Sequence, residues 1–225
     1  MAHRGKLFHK AQDRFRSRRF QAFKGLLDEV LAHKDRVRIL DVGGSPTYWN
    51  MLDPSYDEKV EIHCLNFESE FSKYAGLRKT IQLEIVAGDG CDMPQYEDGS
   101  FDIAHSNSVI EHVGSLQNMA KFAAETRRVG RAYYMQTPNF WFPLEPHYMV
   151  PLIHWLPDAA KIALFTNVSV GYASKVSFED ALMRIDHTRM LSARMMRRLY
   201  PDATVHFERF LLLRKSIIAI RRPKD

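Results

Sequence analysis

Five short apolar segments follow one another between residues 37 and 137, each separated from the next by a stretch that allows a helix or a turn. The segments are 37–42 (VRILDV), 60–67 (VEIHCLNF), 80–89 (TIQLEIVAGD), 101–107 (FDIAHSN) and 131–137 (RAYYMQT). Strands that alternate with helices predict a mostly parallel, doubly wound α/β sheet. The longest helix predicted between them covers residues 109–128, with Val113, Leu116, Met119 and Ala123 on one face.

Two further apolar runs close the chain, at 203–213 (ATVHFERFLLL) and 215–222 (KSIIAIRR). Because they lie so close together, they predict an antiparallel hairpin at a sheet edge, which makes seven strands in all. A chain of 225 residues with 45% hydrophobic residues can bury one sizeable core.

Two segments lie outside this pattern. Residues 1–36 place apolar side chains three or four positions apart with Lys and Arg between them, which predicts a basic amphipathic helical cap. Residues 138–190 are rich in aromatic residues and prolines, and a long insertion of this kind is typical of a lid. We therefore expect one main domain over 37–225 that contains 138–190 as a substrate lid.

The charge and the cysteine content indicate the kind of partner and the cellular compartment. The first 38 residues hold eleven Lys or Arg and four Asp or Glu, although the whole chain has a formal charge of only +5. This asymmetry indicates an anionic partner or a solvated helix face, and we favour the second. Two cysteines without metal-ligand spacing predict a reduced, cytoplasmic protein. No window reaches the roughly 18 apolar residues of a membrane span, so we expect no stable membrane insertion.

Polar residues stand where four of the predicted strands end. Asp41, Asn66, Asp89 and Asn107 close successive strands, and Glu68 follows two positions after Asn66. Ligands of open α/β sheets bind beyond the carboxyl ends of the strands. These side chains therefore predict one shared binding edge.

The loop after the first strand, DVGGSPTYW (41–49), fits neither the dinucleotide pattern G-x-G-x-x-G nor a phosphate-binding P-loop. In combination with the other strand ends, however, the chain resembles the class I S-adenosylmethionine-dependent methyltransferases, specifically the small-molecule (type 11-like) group. The resemblance runs from about Val37 to Arg222 and rests on ILDVGG, LNFES, AGDGCDMP, SFDIAHSNSVIEHVG, YYMQTPN and the closing LYPDATVHFERFLLLRKSIIAI.

The resemblance implies a Rossmann-like methyltransferase fold that binds S-adenosyl-L-methionine at these strand ends. The loop after the first strand would lie beside the methionine part, the second strand end at the ribose, the third at the adenine amino group and the fourth near the transferred methyl. The implied cofactor-binding residues are Asp41, Gly43, Gly44, Ser45, Asn66, Glu68, Asp89, Gly90, Cys91, Ser106 and Asn107. This chain departs from the family loop D-x-G-x-G-x-G, because Ser45 and Thr47 replace the later glycines.

Methyl transfer from a sulfonium needs little acid or base chemistry, since the leaving group is already good and the enzyme mainly aligns the reactants. If the acceptor is a hydroxyl, His147 or His112 is the candidate catalytic base. Glu111, Trp141 and Tyr148 are candidate substrate contacts, and packing is the competing explanation for each of them.

The sequence thus predicts methyl transfer to an oxygen or nitrogen of a small or amphipathic molecule that has an apolar body or an anionic group. Two alternatives stay open: an RNA-modifying enzyme that uses the basic N-terminus, and a non-catalytic cofactor-binding protein of the same fold. No RNA-binding module is visible in the sequence, which disfavours a nucleic-acid partner. No Cys, His or Asp cluster has the spacing of a metal site, so no metal is expected.

Overall fold

The computed structural model describes residues 2–67 and 80–223 and contains a seven-stranded sheet. Its strands are β1 (Val37–Val42), β2 (Val60–Asn66), β3 (Gln82–Ala87), β4 (Phe101–Asn107), β5 (Gly130–Pro138), β8 (Thr204–Phe210) and β9 (Leu213–Arg221); β6 (Leu144–Glu145) and β7 (Val150–Pro151) form a separate ribbon. The order across the sheet is β3-β2-β1-β4-β5-β9-β8, in which β1 to β5 are parallel. The predicted sheet is therefore confirmed.

Within the described residues, five α-helices accompany the sheet. They are α1 (Ala2–Leu31), α2 (Leu116–Val129), α3 (Asp158–Asn167), α4 (Phe178–Asp186) and α5 (Ala193–Leu199). Over the part of the chain that the structure describes, no helix combines the length and the apolar character that crossing a membrane requires.

Helices cover both faces of the sheet. Ile39 of β1 is buried in one hydrophobic cluster with Phe23 and Leu27 of α1, whereas the next residue, Leu40, is buried in a second cluster with Phe122 of α2. Successive strand residues point to opposite faces, so a continuous apolar run fills both cores. This is the doubly wound arrangement that the strand pattern predicts.

The C-terminal hairpin is also confirmed. β8 and β9 pair antiparallel from Thr204 opposite Ile220 to Phe210 opposite Leu213, and β9 pairs antiparallel with β5. Leu211 in the turn has a φ of 54°, a left-handed conformation that a tight connection needs.

The helix after β4 begins later than predicted. Residues 110–112 form a 3₁₀ turn, Gly114 has a φ of 86°, and the side chain of Ser115 caps α2 by accepting a hydrogen bond from the Asn118 backbone N–H. Leu116 is 57% exposed and does not belong to the buried face. The glycine and the cap residue break the helical periodicity at this point.

The segment 138–190 holds α3, α4 and the β6–β7 ribbon. It has a small hydrophobic cluster of its own, made of Ile153, Phe165, Val170, Ala173, Ala181 and Ile185. The segment is thus internally packed, and its role as a lid stays a prediction.

Candidate functional site

The glycine loop after β1 lies directly on the side chain of Asp41. A Cβ atom at Gly44 would stand 1.8 Å from a carboxylate oxygen of Asp41, and Gly43 has a φ of 72°. Only glycine fits these two positions, because one lacks space and the other needs the left-handed region. The loop backbone is thereby fixed at the carboxyl end of β1.

Asp41 itself points into the core rather than out of the loop. Its carboxylate is fully buried and accepts hydrogen bonds from Trp49 Nε1 at 2.8 Å and from His105 Nδ1 at 2.7 Å. The His105 ring stacks on Tyr134 with centroids 5.5 Å apart. Asp41 therefore packs against the loop from the core side. His105 is its buried partner, and the sequence did not predict this contact. His105 lies on the face that Asp41 occupies because the parallel register of β1 and β4 pairs these two residues, and alternation along β4 alone does not give that register.

Two other predicted cofactor residues are tied to the same edge. The side-chain amide of Asn66 donates to the Gly44 carbonyl at 2.8 Å, and Ser106 Oγ donates to the Val42 carbonyl at 3.0 Å. Asn107 Oδ1 is buried and has no hydrogen-bond partner among the described residues. The ends of β1, β2 and β4 are thus brought together as predicted.

The turn after β3 contains three more of the predicted cofactor residues, Asp89, Gly90 and Cys91. Asp89 is exposed, and its Oδ1 accepts a hydrogen bond from the backbone N–H of the buried Cys91 at 2.8 Å. A Cβ at Gly90 would stand 2.5 Å from Val42, so this turn packs closely against β1. Glu68 lies outside the described residues.

The hydroxyls that replace the usual loop glycines contact each other. Ser45 Oγ and Thr47 Oγ1 are 2.8 Å apart on the exposed side of the loop. Pro46 then starts a short 3₁₀ helix in place of a long helix after β1.

A cavity of about 570 Å³ opens where β4, β5, α1, the hairpin and the segment 138–190 meet. Its lining includes Phe15, Phe142, Phe210, Met149 and Met190 as apolar residues, Arg16, Arg19 and Lys215 as basic residues, and Ser108 and Gln136 at the strand ends. Ser108 has a φ of 60°, which is strained for a residue with a side chain, and its hydroxyl donates to Gln136 Oε1 at 2.9 Å. The cavity combines an apolar body with a basic rim.

The predicted substrate contacts do not line this cavity. Trp141 is 65% exposed and its ring contacts Phe140 and Trp155. Tyr148 packs on Phe165 inside the segment 138–190. The sequence favours both because they are large ring residues of the insertion, but the neighbouring residues Phe142 and Met149 line the cavity instead.

Glu111, His112 and His147 lie together, with one possible ligand atom of each within 4.8 Å of the others. Glu111 is fully buried, and burial raises the pKa of its carboxyl to about 7, against the hydrogen bond donated by Thr137 Oγ1 at 2.9 Å. Glu111 is therefore a core residue. Its carboxylate oxygen Oε1, which has no hydrogen-bond partner among the described residues, belongs to the group that includes the two histidines. Neither the sequence spacing nor a motif joins His112 to His147, because 35 positions separate them.

Each histidine has a different electrostatic setting. Partial burial lowers the pKa of His112, against a hydrogen bond to the His187 carbonyl at 2.6 Å. Burial would also lower the pKa of His147, but the hydrogen bond to Glu145 at 2.5 Å and its charge outweigh burial and raise it. Glu145 is 2% exposed and orients His147, a specific role that its position in the insertion did not predict.

Comparisons with known proteins agree with the fold. A family model described as a methyltransferase domain matches residues 40–132. An uncharacterized protein of Mycobacterium tuberculosis is 35% identical over 51 residues, which cover 23% of this chain and 17% of that protein.

Two solved structures are similar over most of this chain. A SAM-dependent methyltransferase from Methanosarcina mazei is 13% identical with a TM-score of 0.54, and the match covers 85% of this chain and 95% of that one. An O-methyltransferase family protein from Burkholderia thailandensis is 13% identical with a TM-score of 0.51, over 87% of this chain and 53% of that one. At these identities the likeness is one of fold.

Proposed function

We propose that the chain is a class I, S-adenosylmethionine-dependent methyltransferase that transfers the methyl group to an oxygen or nitrogen of a small or amphipathic molecule. The observation that carries this proposal is the cavity of about 570 Å³ at the ends of β4 and β5. Its volume and mainly apolar wall suit a small organic ligand. Arg16, Arg19 and Lys215 at its rim suit an anionic group on that ligand.

The residues at the strand ends fit the cofactor. The Gly43–Gly44 loop leaves backbone exposed above Asp41, the exposed Asp89 carboxylate can accept an amine, and the buried Asn107 Oδ1 lacks a partner in the described chain. We propose that these residues, with Asn66, Ser106 and the turn at Gly90–Cys91, hold S-adenosylmethionine. When bound, it supplies a methyl group on a sulfonium, which is a good leaving group.

The protein's own part is to align the nucleophile with the methyl group and to exclude water. The cavity wall formed by Phe142 and Met149 would orient the apolar body of the acceptor. A hydroxyl acceptor must also lose a proton. The paired imidazoles of His112 and His147, whose Nε2 atoms are 3.2 Å apart, are the candidates that assist this loss.

A small molecule is favoured over RNA by the contacts of the basic helix. Arg16 lies over the Tyr48 ring at 5.4 Å from its centroid, and Arg19 pairs with Glu208 at 3.2 Å. An RNA site needs several free cations along a phosphate backbone, whereas one anionic group of a small acceptor needs only one of the basic residues that line the cavity. We likewise propose a cytoplasmic setting, which two free, buried cysteines support.

Cofactor binding is the first test. Calorimetric titration with S-adenosylhomocysteine should show one site per chain, and Asp89→Ala should weaken binding by about 10- to 100-fold, because a charge-assisted hydrogen bond contributes about 1.5–3 kcal/mol. Glu97→Ala, which removes another exposed carboxylate, is the matched control and should bind normally. Absence of binding to the native protein would exclude the proposed function.

The acceptor class is tested with labelled S-adenosylmethionine against two panels, small amphipathic acids with hydroxyl or amine groups, and structured RNA. We expect label in the first panel only. Label in RNA would overturn the small-molecule proposal, and cofactor binding without transfer to either panel would favour a non-catalytic binding protein.

A further inference from the structure

The two histidines face each other through the same ring nitrogen. His112 Nε2 and His147 Nε2 are 3.2 Å apart, and the buried carboxylate of Glu111 lies beside them. We propose that Glu111, His112 and His147 bind one divalent transition-metal ion. The ion would be of the zinc or cobalt type, which two imidazoles and one carboxylate suit.

The hydrogen bonds of the two rings fix where their protons are. His112 Nδ1 lies 2.6 Å from the His187 carbonyl, which can only accept, so Nδ1 carries the proton. His147 Nδ1 lies 2.5 Å from Glu145 Oε1, while Glu145 Oε2 accepts the Tyr148 backbone N–H at 2.7 Å. With Nδ1 of each ring as the donor, the two Nε2 atoms face each other as acceptors, and this contact is favourable when a proton or a metal ion stands between them.

Glu111 supplies the third ligand. Its Oε2 accepts a hydrogen bond from Thr137 Oγ1 at 2.9 Å, whereas Oε1 is buried and finds no partner in the described parts of the chain. A buried carboxylate oxygen left without a partner is costly. A metal ion beside the two Nε2 atoms would satisfy it.

The distance between the two histidine nitrogens and the outer contacts of both rings agree with such a site. Zinc–nitrogen bonds are about 2.0–2.1 Å long, so two nitrogens on one ion lie about 2.8–3.4 Å apart at angles between about 90° and 109°. The observed 3.2 Å lies in this range. Ligand histidines commonly donate their second N–H to a carboxylate or a backbone carbonyl, and Glu145 and His187 provide one of each.

Three protein ligands leave coordination positions open. Resting on the proposed methyl transfer, the ion would bind the acceptor's hydroxyl oxygen there and lower its pKa. The proton would leave to solvent, and the oxygen lone pair would form the new C–O bond as the C–S bond of the cofactor breaks. The histidines would then be metal ligands rather than bases, and Pro146, next to His147, already lines the acceptor cavity.

Metal binding can be measured without activity. Chelator-treated full-length protein is titrated with Co²⁺, followed by visible absorption, and with Zn²⁺, followed by calorimetry. We expect one ion per chain, and His112→Ala and His147→Ala should each weaken binding by at least about 100-fold. His33→Ala, which removes an exposed histidine near the end of α1, is the matched control and should bind like the native protein. Glu145→Gln keeps all three ligands and should weaken binding by about 10- to 100-fold.

The competing occupant of the pair is a single shared proton. In that case the native protein would bind Co²⁺ and Zn²⁺ no more tightly than His147→Ala, and the metal proposal would be overturned. Circular dichroism of each variant checks that it folds. If the native protein binds S-adenosylhomocysteine but not Co²⁺ or Zn²⁺, only the metal site is overturned. If it binds the metal ion but not S-adenosylhomocysteine, the proposed function is overturned and the metal site is not.

Discussion

At the sheet edge, the side chains of Asn66 and Ser106 are hydrogen-bonded to backbone carbonyls, whereas in the segment 138–190 His147 and Tyr148 are hydrogen-bonded to other side chains. Asn66 and Ser106 donate to the carbonyls of Gly44 and Val42. In the inserted segment, His147 is oriented by a carboxylate, and the Tyr148 hydroxyl lies 3.1 Å from Thr188 Oγ1.

The difference has a physical consequence. Strand register fixes the sheet edge, so disturbing it disturbs the whole domain. The inserted segment has a separate hydrophobic cluster, so its side chains can be altered without moving the sheet. We therefore expect substitutions at the sheet edge to change the stability of the domain and its affinity for the cofactor. Substitutions in the segment 138–190 should change the KM for the acceptor or the local opening of that segment.

Asp41→Ala should give the largest effect. It removes the carboxylate that pairs with His105 and leaves the Trp49 N–H buried without its acceptor. Breaking such a buried pair costs about 3–5 kcal/mol, measured as the free energy of unfolding in urea. Glu97→Ala, at an exposed carboxylate, should change it by less than about 0.5 kcal/mol. A loss below about 1 kcal/mol for Asp41→Ala would mean that the edge does not depend on this pair.

Gly44→Ala should come next. The added Cβ collides with the Asp41 carboxylate, and overpacking of this kind costs about 1–3 kcal/mol. Because the loop must shift, S-adenosylhomocysteine binding should weaken by about tenfold or more. Gly25→Ala is the matched control, since Gly25 is an exposed residue of α1 and has no atom within 4 Å of the new Cβ. That control should gain about 0.5–1 kcal/mol, and equal losses in both variants would contradict the steric explanation.

The regular sheet was also easier to predict from the sequence than the contacts between its side chains. The strands and the hairpin were predictable because alternation and apolar runs depend on local periodicity. Asn66 followed from strand ends meeting at one edge, whereas Ser106 was implied only by the family resemblance. His105 was missed because a histidine inside an apolar strand carries no signal of its own. Its role appears only when the parallel register sets it beside Asp41.

The inserted segment was predicted in kind but not in detail. Its prolines and aromatic residues indicated an irregular, packed insertion, yet they could not show whether Trp141 or Phe142 faces the cavity. That choice depends on a cluster of tertiary contacts without a period, and so does the meeting of His147 with His112.

Phe142→Ala tests which ring forms the acceptor wall. Loss of a buried aromatic contact costs about 1.5 kcal/mol or more, so KM for an acceptor found in the screen should rise by about tenfold. Trp141→Ala should change KM by less than about twofold, because that ring lies outside the cavity. Steady-state kinetics at saturating cofactor measures both, and the reverse order would restore Trp141 as the substrate wall.

Tyr148→Phe should have the smallest effect and gives the sharpest test of the separation. It removes only the hydroxyl beside Thr188 and keeps the ring against Phe165, so the expected cost is about 0.5–1.5 kcal/mol. Because the segment 138–190 has its own cluster, this cost should appear as faster hydrogen exchange in α3 and α4, while exchange in β1 and β4 and the affinity for S-adenosylhomocysteine stay unchanged. If cofactor affinity fell together with the exchange protection of α4, the insertion and the sheet edge would have to open as one unit, and the independence argued from their separate cores would be wrong.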